Sequence, residues 1–266
     1  MHLDDKTTRL RSILQAHGRV AVAFSGGTDS SLLAKCALDT LGAGNVLLLF
    51  GESALLPSRE IDRAIHWSSR NGYPRGVAMV RLEVHPLRWK EFVVNAEDRC
   101  YSCKFRLYSL FREQLEKHGV SVLLDGTNTD DLKSHRPGLR AIHQLGVQTP
   151  LVQAGFDKAD VRQLSQQLGL TDWDQPSASC LATRIPCGMP ITVERLRQIE
   201  QWEEELRRFG FVGCRVRLEN ETGSRVCIQL RAADFASFSM HTHRPAMVRF
   251  FHNHGVDTVL LDLVGR

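Results

Sequence analysis

Residues 20–30, VAVAFSGGTDS, constrain the fold of this 266-residue chain more than any other stretch. Five apolar residues lead directly into SGGTDS, and residues 31–38 continue with the pattern of a helix. A strand, a tight turn and a helix expose free backbone N–H groups at the helix N-terminus, which is a ready anion site. The adjacent glycines let a ligand approach the backbone closely. The sequence therefore predicts a phosphate-binding loop formed by Ser25, Gly26, Gly27, Thr28, Asp29 and Ser30.

Further apolar runs alternate with helical segments along the chain. Residues 46–50, 77–82 and 122–124 are predicted strands, separated by stretches with helical periodicity. This alternation is typical of a doubly wound α/β fold with a parallel sheet. Ligands in such folds bind beyond the carboxyl ends of the strands. The ligand-binding residues predicted at these strand ends, besides the loop, are Ser53, Gly126, Thr127 and Asn128.

A change of composition marks a predicted domain boundary. Residues 174–188 are rich in Pro, Ser, Cys and Gly, which favours a loop. After it, Thr192 is placed to cap a helix, and residues 214–219 and 225–231 alternate like strands with one buried face. The sequence therefore predicts an α/β domain at 1–185 and a smaller α+β domain at 186–266.

Charge and cysteine content narrow the class of protein. The net charge is only +4 and no dense Lys/Arg stripe is visible, so we expect no nucleic-acid partner. The N-terminus lacks an apolar signal segment and no apolar run approaches 18 residues, which predicts a cytoplasmic protein without a membrane span. Seven cysteines in a reducing compartment favour core positions, metal ligands or chemistry over disulfides.

The loop matches SGGxDS, the signature of the PP-loop ATP pyrophosphatases. The spacing of a Walker loop, GxxxxGK[ST], is absent, and the loop contains no lysine. The resemblance implies a HUP-like fold and cleavage of ATP between its α- and β-phosphates. It also implies that the loop holds the departing pyrophosphate with its Mg²⁺, and that Asp29 is essential for adenylation.

Three further stretches resemble one branch of this superfamily. They are RCYSCK at 99–104, DGTNTDD at 125–131 followed by Arg136-Pro137-Gly138, and PSASCLATRIP at 176–186. In combination they resemble the LarE family of sulfur transferases, which make the nickel-pincer nucleotide cofactor of lactate racemase. The resemblance implies that a carboxylate of pyridinium-3,5-biscarboxylic acid mononucleotide is adenylated with MgATP. Cysteine-borne sulfur then displaces AMP to give a thiocarboxylate.

The same resemblance assigns roles to single residues. Cys180 would carry the sulfur, since a thiolate is the best protein nucleophile for an acyl adenylate. Arg184, four residues later, would stabilise the thiolate or hold the AMP phosphate. Arg215 and Arg217 lie two residues apart on one strand face, which suits bidentate phosphate binding. They would hold the phosphate of the substrate, with Glu200 or Glu204 of the preceding helix nearby, and Glu204 is our assignment.

The pair Cys100 and Cys103 leaves the sulfur source open. In one branch of the family a single cysteine donates its own sulfur and becomes dehydroalanine. In another, three cysteines hold a [4Fe-4S] cluster whose free iron can carry sulfide. Cys100, Cys103 and Cys180 together resemble the cluster-bearing branch. A CxxC pair also fits a zinc half-site or a redox dithiol, so these alternatives stay open.

Other functions share the ATP-binding loop. A PP-loop tRNA thiolase and an amidating synthetase of the NAD or GMP type are the alternatives, and an ATP-dependent regulator is a non-enzymatic one. The LarE resemblance further implies a nucleotide-like substrate, a sulfide or other sulfur donor, and a homo-oligomer. It makes the C-terminal domain the substrate-binding or oligomerisation domain.

Overall fold

The chain divides into two compact units. A computed structural model describes residues 2–73, 77–133, 137–176, 178–240 and 244–265. The first unit comprises Met1–Ser53, Ser58–Val84 and Asp98–Gln175. The second comprises Ala54–Pro57, His85–Glu97 and Pro176–Arg266, so it takes in two segments from the first hundred residues.

The first unit is built on a four-stranded sheet in the order β3-β2-β1-β4. Every described strand pair in it is parallel, with Val22 of β1 opposite Leu48 of β2 and Leu124 of β4. All five residues of β1 are buried, as an apolar run between two helical layers requires. The α/β fold with a parallel sheet is therefore confirmed. The four strands are β1 (Val20–Phe24), β2 (Val46–Glu52), β3 (Ala78–Glu83) and β4 (Val122–Leu124).

The helices agree with the periodicity of the sequence in most places. The helix predicted over residues 58–71 is broken at His66 into two. The helix predicted from residue 104 begins at Arg99, which places the CxxC sequence inside its first turns. The described helices are α1 (Leu3–His17), α2 (Thr28–Leu41), α3 (Ser58–Ile65), α4 (Trp67–Arg70), α5 (Lys90–Val93), α6 (Arg99–Lys117), α7 (Pro137–Gln144), α8 (Pro150–Ala154), α9 (Lys158–Gln167), α10 (Val193–Arg208), α11 (Phe235–Ser239) and α12 (Arg244–Asn253).

The second unit contains a three-stranded mixed sheet in the order β5-β6-β7. Its first pair of strands is antiparallel and its second pair is parallel. Alternate residues of β5 and β6 are buried, including Val216 and Ile228, which confirms the predicted period of two. Helix α10 packs against β5 and begins after Thr192, whose side chain caps it as predicted. The strands are β5 (Arg215–Leu218), β6 (Arg225–Gln229) and β7 (Thr258–Leu261).

Asn95 belongs to His85–Glu97, one of the two early segments of the second unit, and holds a turn of that unit in place. Its backbone has a positive φ of 61°, a conformation that asparagine tolerates better than most residues. Its side-chain amide donates to the carbonyl oxygens of Pro186 and Met189, each at 2.7 Å. Gly188 N–H in turn donates to the carbonyl oxygen of Asn95 at 2.9 Å. Asn95 therefore anchors the turn that follows the PSASCLATRIP segment.

Among the described residues, no helix combines the length and the apolar character that crossing a bilayer requires.

Candidate active site

The loop between β1 and α2 has the geometry of an anion-binding turn. Gly27 is the N-cap of α2 and has no side chain with which to cap the helix, whose first N–H groups have no partner within the helix. Ser30 Oγ lies 3.0 Å from Ser25 Oγ and donates to the carbonyl oxygen of Gly27 at 3.1 Å. The hydroxyl groups thus hold the turn that precedes the N-terminus of α2.

Glycine is required at two points around this loop. Gly26 has a φ of 72°, and a Cβ atom there would lie 2.9 Å from Cβ of Ala64. Gly126, after β4, lies so close to the loop that a Cβ would be 3.0 Å from the backbone nitrogen of Ser30. The structure therefore brings Gly126 against the loop, as strand ends in a parallel sheet predict.

Asp29 is the centre of charge in the loop. Its Oδ1 accepts a hydrogen bond from Asn128 Nδ2 at 3.0 Å, and its Oδ2 lies 2.5 Å from Lys158 Nζ. Both ionic side chains are about a quarter exposed, at 29% for Asp29 and 23% for Lys158. Asn128 therefore lies against the loop, and Lys158, which the sequence analysis did not single out, contacts the loop as well.

The turn after β4 places Asn128 and Lys158 together. Asn128 Oδ1 accepts from the N–H groups of Asp130 and Asp131 at 3.0 and 3.3 Å, an Asx-type turn. Asp130 Oδ2 accepts the N–H of Lys158 at 3.0 Å. Asp157 caps α9 through a reciprocal capping box with Asp160, confirming the predicted cap. The backbone of Lys158 is therefore held on both sides.

A buried carboxylate lies next to the same turn. Asp125 bonds to Tyr108 and to the hydroxyl of Thr127, and it lies 3.2 Å from Lys104 Nζ. Burial alone would raise the pKa of Asp125, but the Lys104 ammonium and the hydrogen bonds from Thr127 and Tyr108 hold it below its ordinary value. Burial, followed by the charge of Asp125, raises the pKa of Tyr108 well above its usual value. Asp125 is therefore an anion that holds Thr127 in place.

Ser53 directly follows β2, the strand next to β1, and is half-buried. Because neighbouring parallel strands end at one edge of the sheet, Ser53 lies at the same edge as the loop. Thr28 is fixed by a hydrogen bond of 3.1 Å from its hydroxyl to the carbonyl oxygen of Asp172. Arg136 of Arg136-Pro137-Gly138 and Ser177 of PSASCLATRIP lie outside the residues that the structure describes.

Cys100 and Cys103 lie one helical turn apart at the N-terminal end of α6. Cys100 is exposed and Cys103 is half-buried, and Arg99 Nη2 lies 3.9 Å from the sulfur of Cys100. The pair fits two thiolate positions of a metal centre. Cys180 belongs to the second unit. Within the residues that the structure describes, no group of three or more His, Cys, Asp or Glu side chains is arranged to hold a metal ion.

In the second unit, Cys180 immediately precedes a 3₁₀ turn over Leu181–Arg184 and is half-buried. Its carbonyl oxygen accepts hydrogen bonds from the N–H and hydroxyl of Thr183, at 3.0 and 2.9 Å. Leu181 N–H donates to the carbonyl oxygen of Leu55 at 2.8 Å. The segment around Cys180 is therefore held through its main chain.

Arg184 is buried beneath this segment. Its Nε and Nη2 donate to the two carboxylate oxygens of Glu203 at 2.8 and 3.0 Å, and the two side chains are only 6% and 3% exposed. Its Nη1 donates to the carbonyl oxygens of Ser179 and Cys180, at 2.8 and 3.3 Å. The structure thus places Arg184 against the main chain of the cysteine segment.

Glu203 is the second residue that the sequence analysis missed. Its Oε1 also accepts the N–H of Val216 in β5 at 3.0 Å, so it joins α10 to the strand that carries Arg215 and Arg217. Those arginines are half-buried and alternate with buried residues, as predicted. Glu204, the residue assigned from sequence, pairs with Arg207 on its own helix, with Nε of Arg207 2.9 Å from its carboxylate.

Comparisons with known proteins give the family. No protein-family model matches the chain. An uncharacterised protein of Synechocystis sp. is 34% identical over 99% of this chain and 95% of its own length. Pyridinium-3,5-bisthiocarboxylic acid mononucleotide synthase of Lactiplantibacillus plantarum is 33% identical over 99% of this chain and 92% of its own length. The chain belongs to the family of this synthase.

A more distant similarity covers only part of the chain. One component of the glutamine-hydrolysing GMP synthase of Thermoplasma volcanium is 27% identical over 70% of this chain and 63% of its own length. Such a match fits the amidating alternative only in part, whereas the synthase family extends over both units. Membership of the synthase family confirms the resemblance to LarE-type PP-loop enzymes.

Proposed function

We propose that the chain is an ATP-dependent sulfur transferase that converts pyridinium-3,5-biscarboxylic acid mononucleotide to a thiocarboxylate for nickel-pincer cofactor synthesis. The observation that carries the proposal is the similarity to a bisthiocarboxylic acid mononucleotide synthase over 99% of this chain. The strand–loop–helix geometry around Asp29 supports the ATP-dependent half of the reaction. In that half, a substrate carboxylate oxygen attacks the α-phosphorus of ATP, and pyrophosphate leaves.

The first unit would bind ATP and the pyrophosphate. The N-terminus of α2 would stabilise the negative charge of the phosphates through its backbone N–H groups and the helix dipole. The carboxylate of Asp29 is a hard oxygen ligand at the border of solvent, which fits Mg²⁺. When bound, Mg²⁺ neutralises charge on the phosphates. The residues proposed to bind ATP or pyrophosphate are Ser25, Gly26, Gly27, Thr28, Asp29, Ser30, Ser53, Gly126, Thr127 and Asn128.

The second unit would supply the sulfur chemistry. The thiolate of Cys180 attacks the acyl carbon of the adenylate, AMP departs, and a thioester remains. Loss of the Cα proton and cleavage of the Cβ–S bond would then release the thiocarboxylate and leave dehydroalanine. We assign Arg184 a positioning role, because its guanidinium contacts Glu203 and the main chain of the cysteine segment.

The substrate phosphate would bind at β5. Arg215 and Arg217 project from one face of that strand, and two guanidinium groups at this spacing suit a phosphate. Glu204 stays the acidic residue proposed near them. We also keep 186–266 as a proposed substrate-binding or oligomerisation domain, and a homo-oligomer and a cytoplasmic location as parts of the proposal.

A [4Fe-4S] cluster on Cys100, Cys103 and Cys180 is the proposed alternative source of sulfur. The accessible pair at the start of α6 fits two of its ligand positions. A bound cluster with one free iron supplies a site for sulfide. A sulfide or other sulfur donor would then be a partner of the enzyme.

ATP–pyrophosphate exchange in the presence of the biscarboxylic mononucleotide tests the adenylation step. Wild type should catalyse exchange, and Asp29→Ala should lower its rate by at least about 100-fold, because loss of a charge-stabilising group costs about that much. Lys133→Met, a change at an exposed lysine, is the matched control. Exchange at the wild-type rate in Asp29→Ala would contradict the role of the loop.

Mass spectrometry of product and protein tests the sulfur step. Cys180→Ala should form the adenylate but no thiocarboxylate. Loss of one H₂S from wild type after one turnover would identify Cys180 as the sulfur source. Anaerobic reconstitution with iron and sulfide, compared with a Cys100→Ala/Cys103→Ala variant, tests the cluster. Iron uptake that disappears in the variant, with an intact protein mass after turnover, would identify a cluster-borne sulfide instead.

A further inference from the structure

Cys180 lies on a segment with little regular structure. Residues 178–191, all of them described, contain one short 3₁₀ turn over Leu181–Arg184 and no other helix or strand. A loop of this kind makes few backbone hydrogen bonds of its own, so contacts from outside the loop set its conformation. A reactive group works efficiently when it is held to within about 0.5 Å, which a loop achieves only with supporting contacts. The geometry of Cys180 therefore depends on the residues that fix this main chain.

Asn95 contacts four consecutive residues of the turn that ends this segment. Its side-chain amide donates to the carbonyl oxygens of the first and last residues, each at 2.7 Å. Its own carbonyl oxygen accepts from the two residues between them, from a thiol at 3.3 Å and from a backbone N–H at 2.9 Å. The four residues are Pro186, Cys187, Gly188 and Met189. The turn is therefore folded around Asn95.

The backbone conformation of Asn95 is an uncommon one. Its φ of 61° is the only positive value among the described residues other than glycine, and the residue is 1% exposed. Backbone of this kind persists only where the surrounding contacts fix it, and such residues concentrate at functional sites. The carbonyl oxygen of Val93, two residues earlier, accepts the N–H of Ile191 at 3.0 Å. The chain around Asn95 thus also pairs with the main chain that follows the turn.

We propose that Asn95 is a positioning residue for the sulfur-transfer step and acts on Cys180 through Arg184. The inference rests on the proposed role of Cys180 as the carrier of sulfur. The turn at 186–189 begins two residues after Arg184, so Asn95 fixes the main chain on one side of that arginine. The guanidinium of Arg184 in turn holds the carbonyl oxygens of Ser179 and Cys180. Loss of the Asn95 amide would therefore let the cysteine segment shift while its other anchors remain.

Two further contacts hold the segment, and each restricts a different part of it. Leu181 N–H donates to the carbonyl oxygen of Leu55 at 2.8 Å, which fixes the beginning of the 3₁₀ turn. Arg184 meets Glu203 at the far end of a long side chain, so this pair restricts the guanidinium more than the backbone. Asn95 restricts the backbone beyond Arg184. The main chain is thus fixed on both sides of the 3₁₀ turn, as the orientation of a nucleophile requires.

Two substitutions remove the amide of Asn95 but tolerate its left-handed backbone. Asn95→Asp keeps the shape of the side chain and accepts a positive φ, but it places carboxylate oxygens against two carbonyl oxygens. Asn95→Gly adopts a positive φ without strain and removes the side chain altogether. Asn220→Asp is the matched control, since Asn220 is a half-buried asparagine in another turn of the same unit, bonded to Ser224 and Arg225.

Single-turnover assays with the biscarboxylic mononucleotide and MgATP separate the two steps of the reaction. Both Asn95 variants should form thiocarboxylate about 10- to 100-fold more slowly than wild type, because a displacement of about 1 Å can cost about 100-fold. ATP–pyrophosphate exchange, which reports adenylation, should keep the wild-type rate in both. Asn220→Asp should match wild type in both assays. Thiocarboxylate formation at the wild-type rate in both Asn95 variants would overturn the inference, as would an equal loss of exchange.

Alkylation with iodoacetamide, followed by mass spectrometry of tryptic peptides, distinguishes positioning from folding. Cleavage after Arg184 places Cys180 and Cys187 on different peptides. Cys180 should react several-fold faster in the Asn95 variants, because its segment is released, while the buried Cys214 should stay as protected as in wild type. Reaction of Cys214 as fast as Cys180 in both variants would make Asn95 a residue of the fold alone and overturn the inference. Variants that do not fold give this same outcome.

The two assays also distinguish failure of the inference from failure of the proposed function. A wild-type protein that forms no thiocarboxylate would overturn the proposed function. Faster alkylation confined to the Cys180 segment of the variants would then still support Asn95 as the residue that positions this cysteine. Unchanged alkylation of Cys180 would overturn that role.

Discussion

Two carboxylate–cation pairs, one in each unit, differ in their exposure and in what they hold. Asp29 and Lys158 in the first unit are about a quarter exposed, and their contact joins two side chains at the edge of the sheet where the SGGTDS loop lies. Glu203 and Arg184 in the second unit are almost fully buried, and both also bind main-chain atoms. The first pair borders solvent, whereas the second also holds main-chain segments in place.

The difference follows from the cost of desolvation. Separating a buried pair leaves charges without water or a partner, which costs several kilocalories per mole. Separating a partly exposed pair lets water replace each partner, so the cost is small. Under the proposed function, a site that binds and releases pyrophosphate would benefit from a partly exposed pair. A segment that holds the sulfur-bearing Cys180 in one geometry would benefit from a buried pair.

The largest effect is expected from breaking the buried pair. Arg184→Met should lower the free energy of unfolding by about 3–5 kcal/mol, because Glu203 is left as an uncompensated buried charge. Arg207→Met removes the partner of the neighbouring Glu204 at a more exposed position and should cost less than about 1 kcal/mol. Urea unfolding followed by circular dichroism measures both. Equal losses in the two variants would contradict the contrast between buried and exposed pairs.

An intermediate effect is expected at Asp125, which is buried but belongs to the first unit. Asp125→Asn should cost about 1–3 kcal/mol at neutral pH, the range for disrupted buried hydrogen bonds. The folded-state pKa of Asp125 is below its ordinary value, so the stability it contributes is present above about pH 4 and is lost as pH falls through the folded pKa. Melting temperatures from pH 7 to pH 3 should therefore converge for wild type and variant. A difference in melting temperature between wild type and variant that grows on acidification would contradict this prediction.

The smallest effect on stability is expected at the partly exposed pair of Asp29 and Lys158. Lys158→Met should change the free energy of unfolding by less than about 1 kcal/mol, as for other partly exposed ion pairs. The urea titration used for Arg184→Met is the measurement. A loss of stability comparable to that of Arg184→Met would make Lys158 a structural residue.

Much of the fold could be predicted from local patterns in the sequence. The buried run of β1, the cap at Asp157 and the alternating residues of β5 are each set by neighbours within a few positions, and each was predicted correctly. The need for glycine in the SGGTDS loop could be predicted for the same reason, because the tight turn between strand and helix is a local feature. The break at His66 was not, because the apolar spacing of residues 58–71 is compatible with one continuous helix.

Contacts between distant parts of the chain could not be predicted from such local patterns. Lys158 lies 129 residues from Asp29, and nothing around it distinguishes it from a solvated lysine at a helix start. Glu203 carried a weak signal, since it falls on the buried stripe of α10 with Ile199 and Leu206. A charged residue at an apolar position requires a buried partner, but only the fold identifies that partner as Arg184.

The main-chain anchoring of the cysteine segment has a consequence for the lifetime of the enzyme. Arg184 and Thr183 donate hydrogen bonds to the carbonyl oxygen of Cys180. Conversion of Cys180 to dehydroalanine would remove its sulfur but leave that carbonyl oxygen in place. If Cys180 is consumed as the donor, the exhausted protein would stay folded around an inert segment. It would then accumulate as a spent, folded population, so that the output of a cell would depend on replacing the protein rather than on its turnover rate.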